Sequence, residues 1–563
     1  MKKEKSMEEI RTDVLVLGGG LAGTMAALSA REEDAEVCIA MKGRAGKSGN
    51  SARAGGVFAA VLDGFSPPGD SPEVMIRDNY KSGWFMSNPD LVRVISTESG
   101  DSIRKLRSLA VPFLEKEGRM TSTKLPGHSY PRGARVPGGG PHLMAVLGPK
   151  LLKAGVQVLE ETSALGLLRD TSSRVVGADL VRGSSGDLVR VYARATVLAL
   201  GGVGGMYPVT TNAPGVAGSG QAMALEAGAR LRDMEFVQFT PTALAYPPSL
   251  KGRNSGGVSL SFQEARMTNA NGERFMARYA PDVMEHAKRD VLSRAMHREI
   301  VEGRGNEHGA LYLDLTQVPY EDIRDIMGEI IDDFLAAGVD IRKEPIELAP
   351  AAHSHMGGVV IDADGRTGVE GLFAAGENGG GLHGANRLAS GSLTVCSVLG
   401  DRVGRAAANV QGEGGVPAGT AVAVGRSGEP DKQDERLTEL ENVIRQTMFA
   451  AGGIEREADS LRAGIEKMAG LREALDALEL PTGFLARGVQ LRQMRLTAEA
   501  MLRSMAAREE SRGAHFRSDF PEPDNENWLV NLLVSLDGDG CPRIERVRVD
   551  ESIRKMAESD SRK

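Results

Sequence analysis

Asp13-Val14-Leu15-Val16-Leu17, followed without a break by Gly18-Gly19-Gly20-Leu21-Ala22-Gly23 and then by Thr24-Met25-Ala26-Ala27-Leu28-Ser29-Ala30-Arg31-Glu32, is the stretch that decides the fold. The first five residues form a short, wholly apolar run, the pattern of a parallel strand covered on both faces. The glycines give G-x-G-x-x-G between that strand and a helix-like segment. In this context the motif predicts a tight turn that brings backbone close to a pyrophosphate at a helix N-terminus. A ribose-binding acidic residue is expected at the end of the next strand, about 20 residues on. Here Glu36-Val37-Cys38-Ile39-Ala40 runs into Met41-Lys42, so ribose contacts have to come from elsewhere, from Lys42 or from backbone.

Working outward, strand and helix patterns alternate to about residue 232. Glu36–Ala40, VQVLEE, RVVGADLV and VRVYARATVLALGG read as strands, and the last enters a second glycine-rich turn, Gly201-Gly202-Val203-Gly204-Gly205. From Met234 to about Pro345 the pattern changes to polar loops and a helix-like stretch from Val283 to Glu302. Strand and glycine patterns return from Pro345 to about Arg405. These shifts predict an α/β protein. A Rossmann-like dinucleotide-binding domain (1–233 and 346–410) is interrupted by an α+β cap (234–345). A linker (411–433), a helical domain (434–515) and a tail with a hairpin (516–563) follow. Leu437, Leu440, Ile444 and Met448 fall on one helix face, and Asp-Gly marks the hairpin turn between WLVNLLVSL and CPRIERVRV.

The second informative stretch runs from Leu348 to Leu393, with LAPAAHSHMGGVVID and GLFAAGENGGGLHGANRLASGSL. Arg387 offers a planar fork of donors suited to a carboxylate, and His353 adds another. Composition narrows the partners. Glycine makes up 70 of 563 residues, clustered at these loops, and 68 basic against 76 acidic residues give a net charge of −8. No basic patch speaks for nucleic acid. MKKEKSMEEIRTD lacks the apolar core of a secretory signal, and no apolar run approaches membrane-spanning length. Cys38, Cys396 and Cys541 are scattered, without C-x-x-C spacing, so neither an iron–sulfur cluster, a c-type haem nor another metal site is expected. A reduced, cytoplasmic setting follows, at the inner membrane face only through partner subunits.

The ordered blocks DVLVLGGGLAG, SARAGG, GHSYPR, TTNAPGVAGSGQAMALEAGA, DMEFVQFTPT, NGERFMARYAP, KRDVLSRAM, PAAHSHMGG, GLFAAGE, HGANRLASGSL and EESRGAHFRSDFP resemble the flavoprotein subunits of fumarate reductase and succinate dehydrogenase, together with L-aspartate oxidase. The likeness runs from about residue 12 to about 530. It implies bound FAD, a mobile cap and a C-terminal helical domain. It places Gly18, Gly19, Gly20, Leu21, Ala22, Gly23, Met41, Lys42, Ser48, Asn50, Ser51, Gly55, Gly56, Ser219, Glu377, Ser392 and Leu393 on the cofactor. Thr240, Ser249, His353 and Arg387 are placed on a small carboxylate substrate, and Arg289 is the implied proton donor. An iron–sulfur or other electron-transfer subunit is the implied partner.

Four positions depart from the family's pattern. Gly49 stands where respiratory members carry the histidine covalently bound to flavin, which implies dissociable FAD and favours fumarate reduction. Thr240 replaces a substrate-facing histidine. Ser255 replaces the glutamate that re-protonates the catalytic arginine, leaving water or Asp290 as substitutes. Ser219 replaces an aspartate near FAD. Two further readings stand beside fumarate reduction. One is L-aspartate oxidation, although Leu125 occupies the place of that enzyme's ammonium-binding glutamate. The other is a flavin-binding electron-transfer subunit that works on a different carboxylate. His128 is either a loop histidine bonding its own turn or a flavin-side group, and the Glu510–His515 block is expected to pack and pair charges between domains.

Overall fold

The computed structural model describes residues 7–560 apart from 184, 256–261, 263, 288, 329, 413–414, 416 and 420–429. Strand Glu8–Leu17 lies at the centre of a seven-stranded sheet, parallel to Leu188–Leu198 on one side and to Val37–Ala40 on the other. Gln157–Leu159 extends the parallel edge, and Leu372–Ala374 pairs in parallel with Leu188–Leu198. Val14 to Leu17 are completely buried, as a strand covered on both faces requires. One face is covered by helix Leu21–Glu32, which packs along helix Gly391–Ala408 although 370 residues separate the starts of the two. Strand Thr162–Arg169 was not legible in the sequence. Its alternation is interrupted by Gly166, and pairing with Val175–Arg182 supplies what local pattern does not.

Strands Val237–Leu244, Ile346–His355, Leu311–Asp314 and Arg266–Thr268 form a separate antiparallel sheet. Leu244, Met267, Phe275, Leu292, Leu313, Phe334 and Leu348 build an apolar cluster of its own around it. The paired strands Val237–Leu244 and Ile346–His355 carry the chain into and out of this unit.

The single helix expected over Val283 to Glu302 is broken. Met284–His286 is a 3-10 turn with Met284 at φ 51°, Ala287 is extended, and the α-helix occupies only Arg289–Glu299. Glu285 explains the break. Its carboxylate accepts from Met267 N and from Arg274, which pins the turn to a strand instead of letting the helix run on.

Helices Pro430–Ala451, Ala458–Asp476 and Thr482–Ala507 pack together, with Leu437, Leu440, Ile444 and Met448 all buried. Most of the expected linker lies outside the described residues, and helix already begins at Pro430. Strands Val530–Leu536 and Pro542–Arg548 form the expected hairpin. Among the described residues no helix is long and apolar enough to cross a membrane.

Candidate active site

The glycine-rich turn after the first strand is built for close approach. Gly18 sits at φ +113°, and a Cβ there would lie 2.2 Å from Ala199 O; a Cβ on Gly23 would lie 1.9 Å from Gly18 O. No side chain caps the helix that follows, and the Ser51 hydroxyl accepts from Leu21 N at 2.9 Å, so Ser51 meets this N-terminus as expected. Met41 packs its sulfur against Gly19. Lys42 reaches Gly215 O and Gln490 Oε1, a partner in the C-terminal helices that no local pattern announces.

Further along the cleft, Asn50 accepts from Ala213 N and donates to Asn212 Oδ1 (2.7 Å) and Glu377 Oε2 (3.4 Å). Glu377 also accepts from His355 N, and burial raises its pKa. Ser48 is turned back onto Arg44 O, while Cβ positions at Gly49 and Gly55 open onto empty space. Ser219 Oγ and Asn378 Nδ2 are buried with no hydrogen-bond partner. Ser392 and Leu393 lie in the first turn of helix Gly391–Ala408, which also lacks a side-chain cap. Two uncapped helix N-termini, a glycine cradle and orphaned buried polar atoms along one cleft fit a long, anionic, heteroatom-rich ligand such as FAD.

Beside this cleft stand the groups expected to meet substrate. His353 lies near the end of strand Ile346–His355, and its Nδ1 is 2.8 Å from the Thr211 hydroxyl. Burial, then Arg387, then Arg289 push its pKa down to about 3, so the ring is neutral. With Thr211 donating to Nδ1, the proton sits on Nε2 and is available to a ligand. Arg387 is buried and donates to Gln238 Oε1 at 3.1 Å, while its Nε has no partner. Burial and the nearby Arg289 lower its pKa to about 10, against the pull of Glu377. Arg289 is the first residue of its helix, where the dipole disfavours a cation, and burial lowers its pKa as well. The surface ion pair between Arg289 and Asp290 is not made, because Asp290 pairs with Arg294 at 3.3 Å.

The remaining expected residues divide. Thr240 is buried beside the cluster, but its hydroxyl lies 2.9 Å from Thr242 Oγ1, which donates to Asn254 Oδ1. In that chain the Thr240 proton is already used, so it offers a lone pair instead of the donor a carboxylate needs. Ser255 is committed to Thr242 O. Ser249 is exposed in the turn Pro248–Leu250, and the structure does not bring it to the cluster. Sequence reasoning missed Thr211, Gln238 and His383. His383 is held neutral beside Arg387 with a pKa of about 3, chiefly by burial. Only its place in the HGANR block could have drawn attention to it.

Two family profiles match the chain: "FAD binding domain" over residues 13–393 and "Fumarate reductase flavoprotein C-term" over residues 441–560. This chain belongs to the fumarate reductase/succinate dehydrogenase flavoprotein family. It is therefore an FAD-dependent oxidoreductase of the type that acts on CH–CH bonds. Among its relatives is a subunit of the fumarate reductase (CoM/CoB) of Methanothermobacter marburgensis, 37% identical over 93% of this chain and 97% of that one. L-aspartate oxidase of Caulobacter vibrioides is 38% identical over 93% and 96%. Among solved structures, a variant of E. coli quinol fumarate reductase FrdA superposes with a TM-score of 0.82 at 29% identity, covering 96% of this chain and 97% of that one. Mycobacterium smegmatis Sdh1 in complex with UQ1 gives 0.83 at 29%, over 97% and 95%.

Within this family framework His128 resolves one of its two readings. Its Nε2 bonds Ala389 O at 2.9 Å, across 261 residues, so it does not bond its own turn. Leu125 is buried against Ala59, Met75 and Ala389 and presents no charge. The Glu510–His515 block is buried and paired: Arg508 bonds Glu235 and Glu510, Arg512 bonds Glu510, and Arg456 meets His515 Nδ1.

Proposed function

We propose that this flavoprotein reduces the carbon–carbon double bond of a small dicarboxylate of the fumarate type. The observation that carries the reading is the charge of the site. Two guanidiniums, Arg289 and Arg387, lie close enough to depress each other's pKa or that of His353, and Glu377 alone offsets Arg387. Such a pair costs free energy until an anion arrives.

Arg387 and His353 hold one carboxylate and draw electron density from the double bond. Bound FAD supplies the hydride to one alkene carbon, and Arg289 gives a proton to the other, which leaves a saturated CH–CH bond. Burial makes that proton easier to lose than from a free guanidinium. Reloading has to use water, since Ser255 and Asp290 are both engaged elsewhere. Water exclusion during the transfer would come from closure of the 234–345 unit.

L-aspartate oxidation is the second reading, favoured by the relatives of that name. It lacks a counter-charge for the substrate ammonium, because Leu125 lies in an apolar cluster. FAD is held without a covalent bond in this reading, since Gly49 offers no nucleophile. Electrons arrive from a partner protein, because among the described residues no cluster of His, Cys, Asp and Glu is placed to hold a metal.

The test is anaerobic. Purified holoenzyme is reduced chemically, fumarate is added, and flavin absorbance is followed. Rapid reoxidation is expected; an intact flavin that stays reduced with fumarate, or an oxidised enzyme readily reduced by aspartate, overturns the proposal.

A further inference from the structure

We propose that His128 is a positioning residue for the cofactor: by bonding Ala389 O it fixes the turn that aims the N-terminus of helix Gly391–Ala408 at the flavin, and so sets the flavin's reduction potential. The inference rests on FAD lying at that N-terminus. It does not depend on which carboxylate is the substrate.

The turn has a problem that needs an outside solution. Ser390 is the N-cap of this helix and sits at φ +58°, ψ 11°, a left-handed conformation that costs a non-glycine residue about 1 kcal/mol. Its side chain makes no capping bond, so the helix end is not held by the usual local device. Within the turn itself the one backbone bond is a long one, Gly391 N to Leu388 O at 3.3 Å. A small cavity lies alongside, lined in part by His128, His383, Leu388, Gly391 and Thr394. Packing is therefore incomplete at the place where the helix end must be held.

His128 supplies the missing restraint, and it is itself held from behind. Its Nε2 is 2.9 Å from Ala389 O, and a carbonyl can only accept, so Nε2 carries the proton. Nδ1 is then the acceptor, 3.3 Å from Arg132 Nη1. Arg132 is completely buried and locked between Asp70, through Nε and Nη2, and Asp78, through Nη1. Asp78 also takes the backbone N–H and hydroxyl of Ser129, which fixes the residue next to His128. Both ring nitrogens are thereby assigned, and the guanidinium on Nδ1 opposes a second proton. The result is a rigid strut from a buried ion-pair cluster to the carbonyl one residue before the cap.

A helix N-terminus stabilises negative charge over a distance of about one turn, so a small displacement changes its effect on a nearby group. A flavin gains electrons on reduction, and a well-aimed N-terminus favours the reduced form. Slackening the strut should lower the potential.

The experiment compares the FAD holoenzyme with His128→Leu and His128→Gln, by two-electron redox titration against reference dyes and by FAD dissociation constant. Leucine removes the donor, whereas glutamine can return an N–H to Ala389 O. His128→Leu is expected to retain FAD and lose about tenfold in preference for reduced flavin, a fall of about 30 mV for a two-electron couple. His128→Gln should recover most of that shift. An unshifted potential in His128→Leu overturns the proposal, as does an equal shift in both variants. Should the leucine variant not fold, nitrogen NMR of the wild-type imidazole decides. The Nε2–H tautomer supports the strut, and an Nδ1–H ring or an imidazolium overturns it. Failure of fumarate to reoxidise the enzyme would leave all these measurements interpretable.

Discussion

Arg387 and Lys are not interchangeable at this site, because the Arg387 fork is shared between Gln238 Oε1 and a partnerless Nε that is free for a ligand. Arg387→Lys should cost roughly 1.5–3 kcal/mol of transition-state binding, about 10- to 150-fold in kcat/KM, measured with reduced holoenzyme and fumarate. Arg289→Gln should act differently. Loss of a general acid removes on the order of 10²–10⁴ from kcat with a smaller change in KM and no change in FAD content; a change confined to KM would make Arg289 a binding residue. The pH dependence follows from His353 and Arg387. His353 stays neutral above a pKa of about 3 and Arg387 stays charged below about 10. Substrate KM should therefore be flat between pH 5 and 9 and should rise as Arg387 loses its proton above that range. Gly49 carries the simplest prediction: acid precipitation should release all the flavin into the supernatant. A yellow, fluorescent band on a denaturing gel would contradict non-covalent binding.

Among the elements, the turn between strand Glu8–Leu17 and helix Leu21–Glu32 has the least tolerance. Gly23→Ala would drive a methyl group to 1.9 Å from Gly18 O, a backbone atom that cannot swing aside. The variant should purify with less than about a tenth of the wild-type flavin, because the displaced turn no longer presents its amides to the pyrophosphate. The ratio of flavin to protein absorbance checks this, with far-UV circular dichroism as the control for folding. Helix Arg289–Glu299 shows what sequence periodicity leaves out. The pattern runs smoothly from Val283 to Glu302, yet the helix starts at Arg289 because Glu285 is held by Arg274 and by Met267 N. That break turns an ordinary mid-helix arginine into one at a helix N-terminus, where a cation is held less favourably.

Across the whole molecule, buried charge ties the helical region to the strand that enters the 234–345 unit. Arg508 bonds Glu235, two residues before strand Val237–Leu244, and also Glu510 and the carbonyls of Trp528 and Val530. Arg508→Met would leave two carboxylates buried without their partner, at a cost of about 3–5 kcal/mol in denaturant unfolding. The histidines of this region add a pH dependence. His355, at a pKa of about 4, and His515, pushed well below its ordinary value, are both kept neutral by burial. Their folded pKa values lie below the unfolded 6.5, so the unfolded state binds protons first and stability falls as pH drops through 6.5 towards 4. Each contributes up to ~1.4 kcal/mol per pH unit. Glu235, raised to about 7 by burial, works in the opposite sense between pH 4.5 and 7. The net expectation for these three groups is a slope of about one proton, measured by urea unfolding at pH 7, 6 and 5.

The sequence by itself determined the dinucleotide turn, the order of units along the chain and the identity of the chief site residues. An apolar strand, a glycine turn and a helix are local patterns whose chemistry acts within a few residues. Tertiary structure alone decided which of those residues meet. Lys42 finds Gln490, Arg387 finds Gln238, His128 finds Ala389 and Arg508 finds Glu235, the nearest of these pairs being 149 residues apart. It also turned the Thr240 hydroxyl towards Thr242, committed Ser255 to backbone and left Ser249 exposed. The physical reason is that hydrogen-bond partners and desolvation depend on what the fold packs against a group. For a residue between distant segments, that neighbourhood is not written in the adjoining sequence.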